Sequence, residues 1–248
     1  MPGVDYRIGD ALEALQELPA KSVSWIHLDD AWARPMRNGA FGVEYNTHAF
    51  DESDDHFEEH DTSLTTAALV DECHRVLEPG GLLVADTDDW LFPRLYQYVR
   101  EKWGETQAAA GNVTLLASSG KPDRSTPGMY LSTGGYSLVL AWKQASPWFP
   151  NAPRYFQADR QREQYGWSSA KPLTPYRRLL EIYCSSGGTV VVPCAGTAPA
   201  AVAAENLYGE TVDVICIDTE PEAKTAYKER RRDELFGQQG LQQFTGEQ

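Results

Sequence analysis

Hydrophobic positions along the chain alternate between two rhythms. Short segments that read as strands fall at residues 4–9, 23–28, 82–85, 112–117, 136–142, 189–192 and 211–217. Between them, apolar residues recur at helical spacing over 10–18, from Thr62 or Ser63 to a stop at Gly80-Gly81, near 90–103, and over 173–185, 199–207 and 221–235. The first helix presents Ala11, Leu12, Ala14, Leu15 and Leu18; the second presents Leu69, Cys73, Val76 and Leu77. Apolar strands alternating with helices predict an α/β fold, a mostly parallel doubly wound sheet with helices on both faces. Residues 33–62 follow neither rhythm, and 44–61 hold eight acids with no Lys or Arg, which predicts a solvated, mobile loop. The Gln/Gly-rich stretch 237–248 reads as a disordered tail. Without repeats or a second core, 1–236 is expected to form one domain.

Composition narrows the class. With 42% hydrophobic and 11% aromatic residues the chain can bury a core, which excludes global disorder. No apolar run approaches the ~20 residues of a bilayer span, and residues 1–5 lack the basic and apolar regions of a signal peptide. A cytoplasmic protein with no membrane partner is the expectation. Cys73, Cys184, Cys194 and Cys216 form no C-x-x-C pair and sit in apolar stretches, so buried free thiols are expected. The net charge of −14, with only seven Lys against fifteen Arg, predicts a halophilic protein that stays hydrated in concentrated salt. Such a charge opposes ordinary electrostatic capture of nucleic acid. In molar salt the Debye length shrinks to about 3 Å, and that objection weakens. One stretch runs against the overall sign: 143–171 holds five basic and two acidic residues, interleaved with Trp148, Phe149, Tyr155, Phe156, Tyr165 and Trp167.

Two strings join a strand to candidate chemistry. The run 23–28 ends in Asp29-Asp30-Ala31-Trp32, an acid and an aromatic suited to gripping an amino group on a flat ring. The run 190–192 ends in Pro193-Cys194-Ala195-Gly196-Thr197-Ala198, a glycine turn that lets a ligand approach the backbone. Further blocks are Gly9-Asp10-Ala11-Leu12, the segment 72–81 ending in Glu78-Pro79-Gly80-Gly81, Lys171-Pro172-Leu173-Thr174-Pro175, and 216–221 around Asp218. In their order these blocks resemble the circularly permuted (β) class of S-adenosylmethionine-dependent DNA amino-methyltransferases. The resemblance covers most of 4–235 and is loose over 104–170.

That resemblance implies a Rossmann-like methyltransferase fold, S-adenosylmethionine as cofactor, and DNA as partner with the target base flipped out of the stack. Family members carry acid-Pro-Pro-aromatic where this chain has Asp29, Asp30, Ala31 and Trp32. By that match the Asp29 carboxylate and the Asp30 carbonyl draw the exocyclic amine toward tetrahedral geometry, and Trp32 stacks on the base. Both family prolines are missing, and with them the locked φ that would aim the carbonyl. On the cofactor side Asp10 faces the adenine amine or caps its helix. Lys171 helps hold the methionine carboxylate. Pro193, Ala195, Gly196 and Thr197 form the loop against the methionine part. Asp218, with Glu220 as fallback, accepts the ribose hydroxyls. Val192 stands where the family has an acid, and Ala198 where it has a second glycine. An acid at position 29 points to adenine N6 rather than cytosine N4.

The segment 143–171 falls where the family places target recognition, with Arg154, Arg160 and Arg162 for phosphates and Trp148, Tyr155 or Trp167 for stacking. Its shortness implies loose specificity or a second subunit. His56 and His60 suit one helical face, but with His48 they lie among acids in the loop, so no metal site is expected. His27 and His74 read as core histidines. Two other classes stay open: a catalytically silent subunit that binds nucleic acid or a partner, and a methyltransferase for cytosine N4, RNA or a small molecule.

Overall fold

The computed structural model describes residues 3–29, 63–88, 91–123, 134–144, 153–161, 164–167 and 169–244. Along the chain run β1 (Val4–Ile8), α1 (Ala11–Glu17), β2 (Val23–Leu28), α2 (Ser63–Val76), β3 (Leu77–Thr87), α3 (Leu91–Lys102), β4 (Ala108–Leu116), β5 (Gly135–Trp142) and β6 (Tyr155–Asp159). Then follow α4 (Thr174–Tyr183), β7 (Thr189–Pro193), α5 (Pro199–Tyr208), β8 (Asp213–Asp218) and α6 (Pro221–Phe244). All these strands share one sheet in the order β1-β8-β7-β2-β3-β5-β4-β6. The first five in that order are parallel; β5 is antiparallel to both β3 and β4, and β6 runs parallel to β4.

Both faces of the parallel part are buried, which is why its strands are apolar at nearly every position. On one face Trp25, Leu82, Val84, Val190, Val192 and Val214 pack with α4 and α5 residues such as Tyr176, Leu179 and Val202. On the other, Val23, Ile26, Leu28, Leu83 and Val191 pack with Leu15, Val70, Cys73, Leu95 and Val99 of α1, α2 and α3. The helices therefore cover both faces. α5 is alanine-rich, and its buried Ala200, Ala201, Ala203 and Ala204 let it lie close against the sheet.

Several boundaries differ from the sequence expectation. α2 stops at Val76, before Gly80-Gly81, because Leu77 already pairs with Val23 as the first residue of β3. The register then shifts before Trp25 pairs with Leu82. A Cβ on Gly81 would lie 3.0 Å from the Glu78 carbonyl oxygen and 3.1 Å from that of Ser24, so this glycine serves close backbone approach, not helix termination. β4 begins at Ala108, ahead of the expected 112. The stretch 143–171, read as a recognition segment, contains the strand β6, with Phe156 and Ala158 buried and Tyr155 exposed. α6 continues past 235 to Phe244 through Gly237 and Gly240, each of which costs a helix about 1 kcal/mol against alanine. None of the four cysteines, all among the described residues, forms a disulfide, and Cys73, Cys184 and Cys216 are buried. Among the described residues no helix is long and apolar enough to cross a membrane.

Candidate active site

Strand register assembles the site. Leu28 lies opposite Ala85, Ile26 opposite Val191, and Pro193 opposite Ile217. The positions one step further on, Asp218, Cys194, Asp29 and Asp86, therefore stand in a row along the carboxyl edge of β8, β7, β2 and β3. Between β7 and β2 the winding reverses, with β8 and β1 to one side and β3 to the other. Such a reversal is where parallel sheets open a ligand crevice.

On the β2/β3 side, Lys171 forms an ion pair through Nζ with Asp29 Oδ2 and stands 3.8 Å from Asp86 Oδ2. The same Asp86 oxygen accepts the Tyr176 hydroxyl at 2.5 Å and lies 3.2 Å from His27 Nε2. The Tyr136 hydroxyl is 3.0 Å from that of Tyr176, and the His27 and Tyr176 rings pack at 4.1 Å between centroids. Burial, reinforced by the Asp86 charge, holds both tyrosine hydroxyls well above their ordinary pKa, so they remain protonated donors. Exposure is graded: the side chains of Asp86 and His27 are each 2% accessible, those of Asp29 and Lys171 21% and 20%. The outer pair can meet a ligand; the inner pair cannot do so directly. Asp86 Oδ1 and His27 Nδ1 are buried without a hydrogen-bond partner among the described residues. An orphaned buried polar atom costs about 1–3 kcal/mol.

On the β7/β8 side, Cys194, Gly196 and Ala198 take φ values of 55°, 50° and 45°. The left-handed backbone costs roughly 1–2 kcal/mol at each of the two non-glycine positions. Hydrogen bonds impose it. The Gly196 amide donates to Asp218 Oδ2 at 2.8 Å, the Ala195 amide to the Ile217 carbonyl at 2.9 Å, and the Tyr6 hydroxyl to the Gly196 carbonyl at 2.8 Å. The Glu220 amide donates to Asp218 Oδ1 at 2.9 Å. Burial pushes the Asp218 carboxyl above the ordinary carboxylate range, while the amides of Glu220 and Gly196 pull it back. The Trp167 indole covers the turn: a Cβ on Gly196 would lie 3.1 Å from its Nε1.

Arg230 joins the two sides. Fully buried on α6, it donates to the Lys171 carbonyl at 2.8 Å, Thr197 Oγ1 at 2.9 Å and Gln161 Oε1 at 2.9 Å. Lys171 thus has its backbone tied toward the glycine turn and its ammonium placed on Asp29.

Of the residues singled out in the sequence, Asp29, Lys171, Pro193, Ala195, Gly196, Thr197 and Asp218 come together around this edge. Asp10 caps α1, its Oδ1 accepting the Leu12 and Glu13 amides at 2.8 and 3.0 Å, the second of its two expected roles. Val192 is buried in the core. Asp30, Ala31 and Trp32 lie outside the described residues, as do Trp148, Arg162, His48, His56 and His60. Arg154 and Tyr155 are exposed, whereas Arg160 pairs with Asp123 at 3.2 Å. His74 packs on Trp103. His27, read as an ordinary core histidine, belongs to the Asp86 cluster. Sequence reasoning also passed over Asp86, Tyr136, Tyr176 and Arg230. Asp86 had a signal, since it follows an apolar run just as Asp29 does. So did Arg230, at helical spacing from the buried Ala223, Ala226 and Tyr227.

No protein-family model and no curated protein matches the sequence. Solved structures share its fold. TTHA0409 of Thermus thermophilus, assigned as a DNA modification methylase, matches in its complex with S-adenosyl-L-methionine at TM-score 0.66 and 18% identity, over 95% of this chain and 96% of that one. The M1.HpyAVI–SAM complex matches at TM-score 0.58 and 15% identity, over 94% and 100% of the two chains. The PvuII cytosine-N4-specific DNA methyltransferase matches at TM-score 0.59 and 15% identity, over 94% and 93%. The chain therefore has the Rossmann-like methyltransferase fold of these proteins, with the mixed sheet described above.

Proposed function

We propose that this protein transfers a methyl group from S-adenosylmethionine to an exocyclic amine of a DNA base, adenine N6. One observation carries the reading: the acid after β2 and the glycine turn after β7 leave hydrogen-bonded neighbour strands and are bridged through Lys171 and Arg230. The full-length likeness to DNA methylase structures, two of them with the cofactor bound, supports it.

The residues present fit that cofactor. The Trp167 indole fills the space over Gly196, where a Cβ would crowd its Nε1 at 3.1 Å, so the methionine part of the cofactor would displace that ring and lie against the turn formed with Pro193, Ala195 and Thr197. Asp218 would accept the ribose hydroxyls, since each of its oxygens keeps a lone pair beyond the backbone amide it already receives. When bound, the cofactor supplies an electrophilic methyl group on a sulfonium. Asp29 accepts the amine hydrogen as the N–C bond forms. It then takes the proton shed by the methylated amine, the S–C bond having broken with its electron pair left on sulfur. By the resemblance, the Asp30 carbonyl would be the second acceptor and Trp32 would stack on the flipped base; with Ala31, both lie outside the described residues. Exposed Arg154, just before the outer strand β6, and exposed Tyr155, its first residue, would meet DNA. The charge of −14 supports a working environment of concentrated salt, where assays belong.

Asp29→Ala tests this. Labelled-methyl transfer to DNA should fall at least ~100-fold, while cofactor affinity by calorimetry stays within about twofold, a difference under 0.5 kcal/mol. Normal methylation by that variant would remove Asp29 from the mechanism. Label found on cytosine, RNA or free nucleosides would redirect the substrate. No cofactor binding in molar KCl would favour the silent subunit, a reading that Val192 in place of an acid motivates.

A further inference from the structure

The mechanism just described leaves Asp86 unused. Its buried carboxylate keeps one oxygen without a hydrogen-bond partner among the described residues, while the other is held by Tyr176 at 2.5 Å and His27 at 3.2 Å. Lys171 Nζ, already paired with Asp29, lies 3.8 Å from that held oxygen. One ammonium therefore faces two carboxylates at the same level of adjacent strands. The conflict is chemical. A carboxylate neutralised by an ammonium is a poor acceptor for an incoming amine, yet methyl transfer needs Asp29 as that acceptor.

We infer that Asp86 is a second seat for the Lys171 ammonium, which moves there from Asp29 when the target amine arrives. Asp86 is then a positioning residue that acts through Lys171, and the inference rests on the methyl-transfer reading. The movement required is small, about 1 Å, from 3.8 Å to the usual length of a charge-assisted hydrogen bond. A lysine stem absorbs such a shift readily. The Lys171 carbonyl stays anchored on Arg230, and the Tyr136 ring, 5.4 Å from Nζ, flanks the path. Tyr176 and His27 fix the receiving carboxylate.

Four proteins test it: wild type, Asp86→Asn, Lys171→Met and the double variant. Asp86→Asn leaves Asp29 as the one carboxylate beside Lys171 among the described residues, so kcat should drop at least ~10-fold with cofactor affinity preserved; Asp86→Glu should recover part of it. Lys171→Met leaves two like charges facing each other and should also be slow. The double variant keeps only the Asp29 charge, and we expect it to be at least ~5-fold faster than either single variant. A second readout needs no ligand. Adding Asp86→Asn should raise the urea midpoint of Lys171→Met, although in the wild-type background the same change lowers it. A double variant no faster than the slower single, or a midpoint that falls in both backgrounds, overturns the inference. If wild type itself transfers no methyl group, the functional reading fails instead, and the urea series still decides whether both carboxylates share the one ammonium.

Discussion

Two acids of the row, Asp218 and Asp29, are held by different kinds of partner. Asp218 is gripped by backbone, through the amides of Gly196 and Glu220, which cannot move without refolding the turns that follow β7 and β8. Asp29 is gripped by a side chain, the Lys171 ammonium, which can change partners by torsion alone. Backbone amides suit an acceptor that must present one geometry to a ligand in every cycle. A flexible cation suits an acceptor that must be covered when idle and bare when substrate arrives. The contrast separates a preorganised half from an exchangeable half of one site.

That division can be broken most severely at Gly196. Gly196→Val forces a β-branched residue into φ +50° against Trp167. Calorimetry should show cofactor affinity down about 100-fold, ~3 kcal/mol, and urea denaturation a stability loss of about 2 kcal/mol. The coupling between Lys171 and Asp86 should survive, because the damage stays on the backbone-held side. Ordinary cofactor affinity in this variant would mean that the turn is not the cofactor site.

Arg230→Met attacks the tie between the halves. It strands the Lys171 carbonyl, Thr197 Oγ1 and Gln161 Oε1 without their donor. Stability should fall by roughly 2 kcal/mol. Cofactor affinity and kcat should fall together, each by about tenfold, ~1.4 kcal/mol. Loss of only one would show that the halves are not joined through this residue. Arg230→Lys should recover little, since a single ammonium cannot reproduce three donors in a planar fork.

The smallest effect expected is in pH. Burial is the leading cause that raises the Asp218 carboxyl above its ordinary value. Because only the ionised form accepts hydroxyl hydrogens through both oxygens, cofactor affinity should weaken on acidification at a pH above the usual carboxylate range, by a few-fold. For the unliganded fold the sign is opposite. A raised folded-state pKa contributes stability that is complete below the unfolded value and is lost as pH rises through the folded one. Asp218→Asn should flatten both trends, and an unchanged binding profile would sink the assignment.

How much of this could be read in advance differs between the halves. Asp29, Gly196 and Asp218 were legible because each follows a run of β-formers, and where a parallel strand ends is written locally. The inner cluster was not. Asp86 and Arg230 were not singled out at all, and His27 read as a core histidine. Strand β6 was masked by a basic, aromatic composition that suggested a loop, although Tyr155, Phe156, Gln157 and Ala158 alternate as an edge strand does.

By itself the sequence determined the periodicities, hence the strands, the helices and the acids at their tips, because spacing along the chain fixes which faces are apolar. Only the tertiary structure decided which tips meet. Lys171 reaches Asp29 across 142 residues, and Arg230 reaches Thr197 across 33. Strand order and register are long-range properties of the packed sheet, and a local pattern of hydrophobicity carries no record of them.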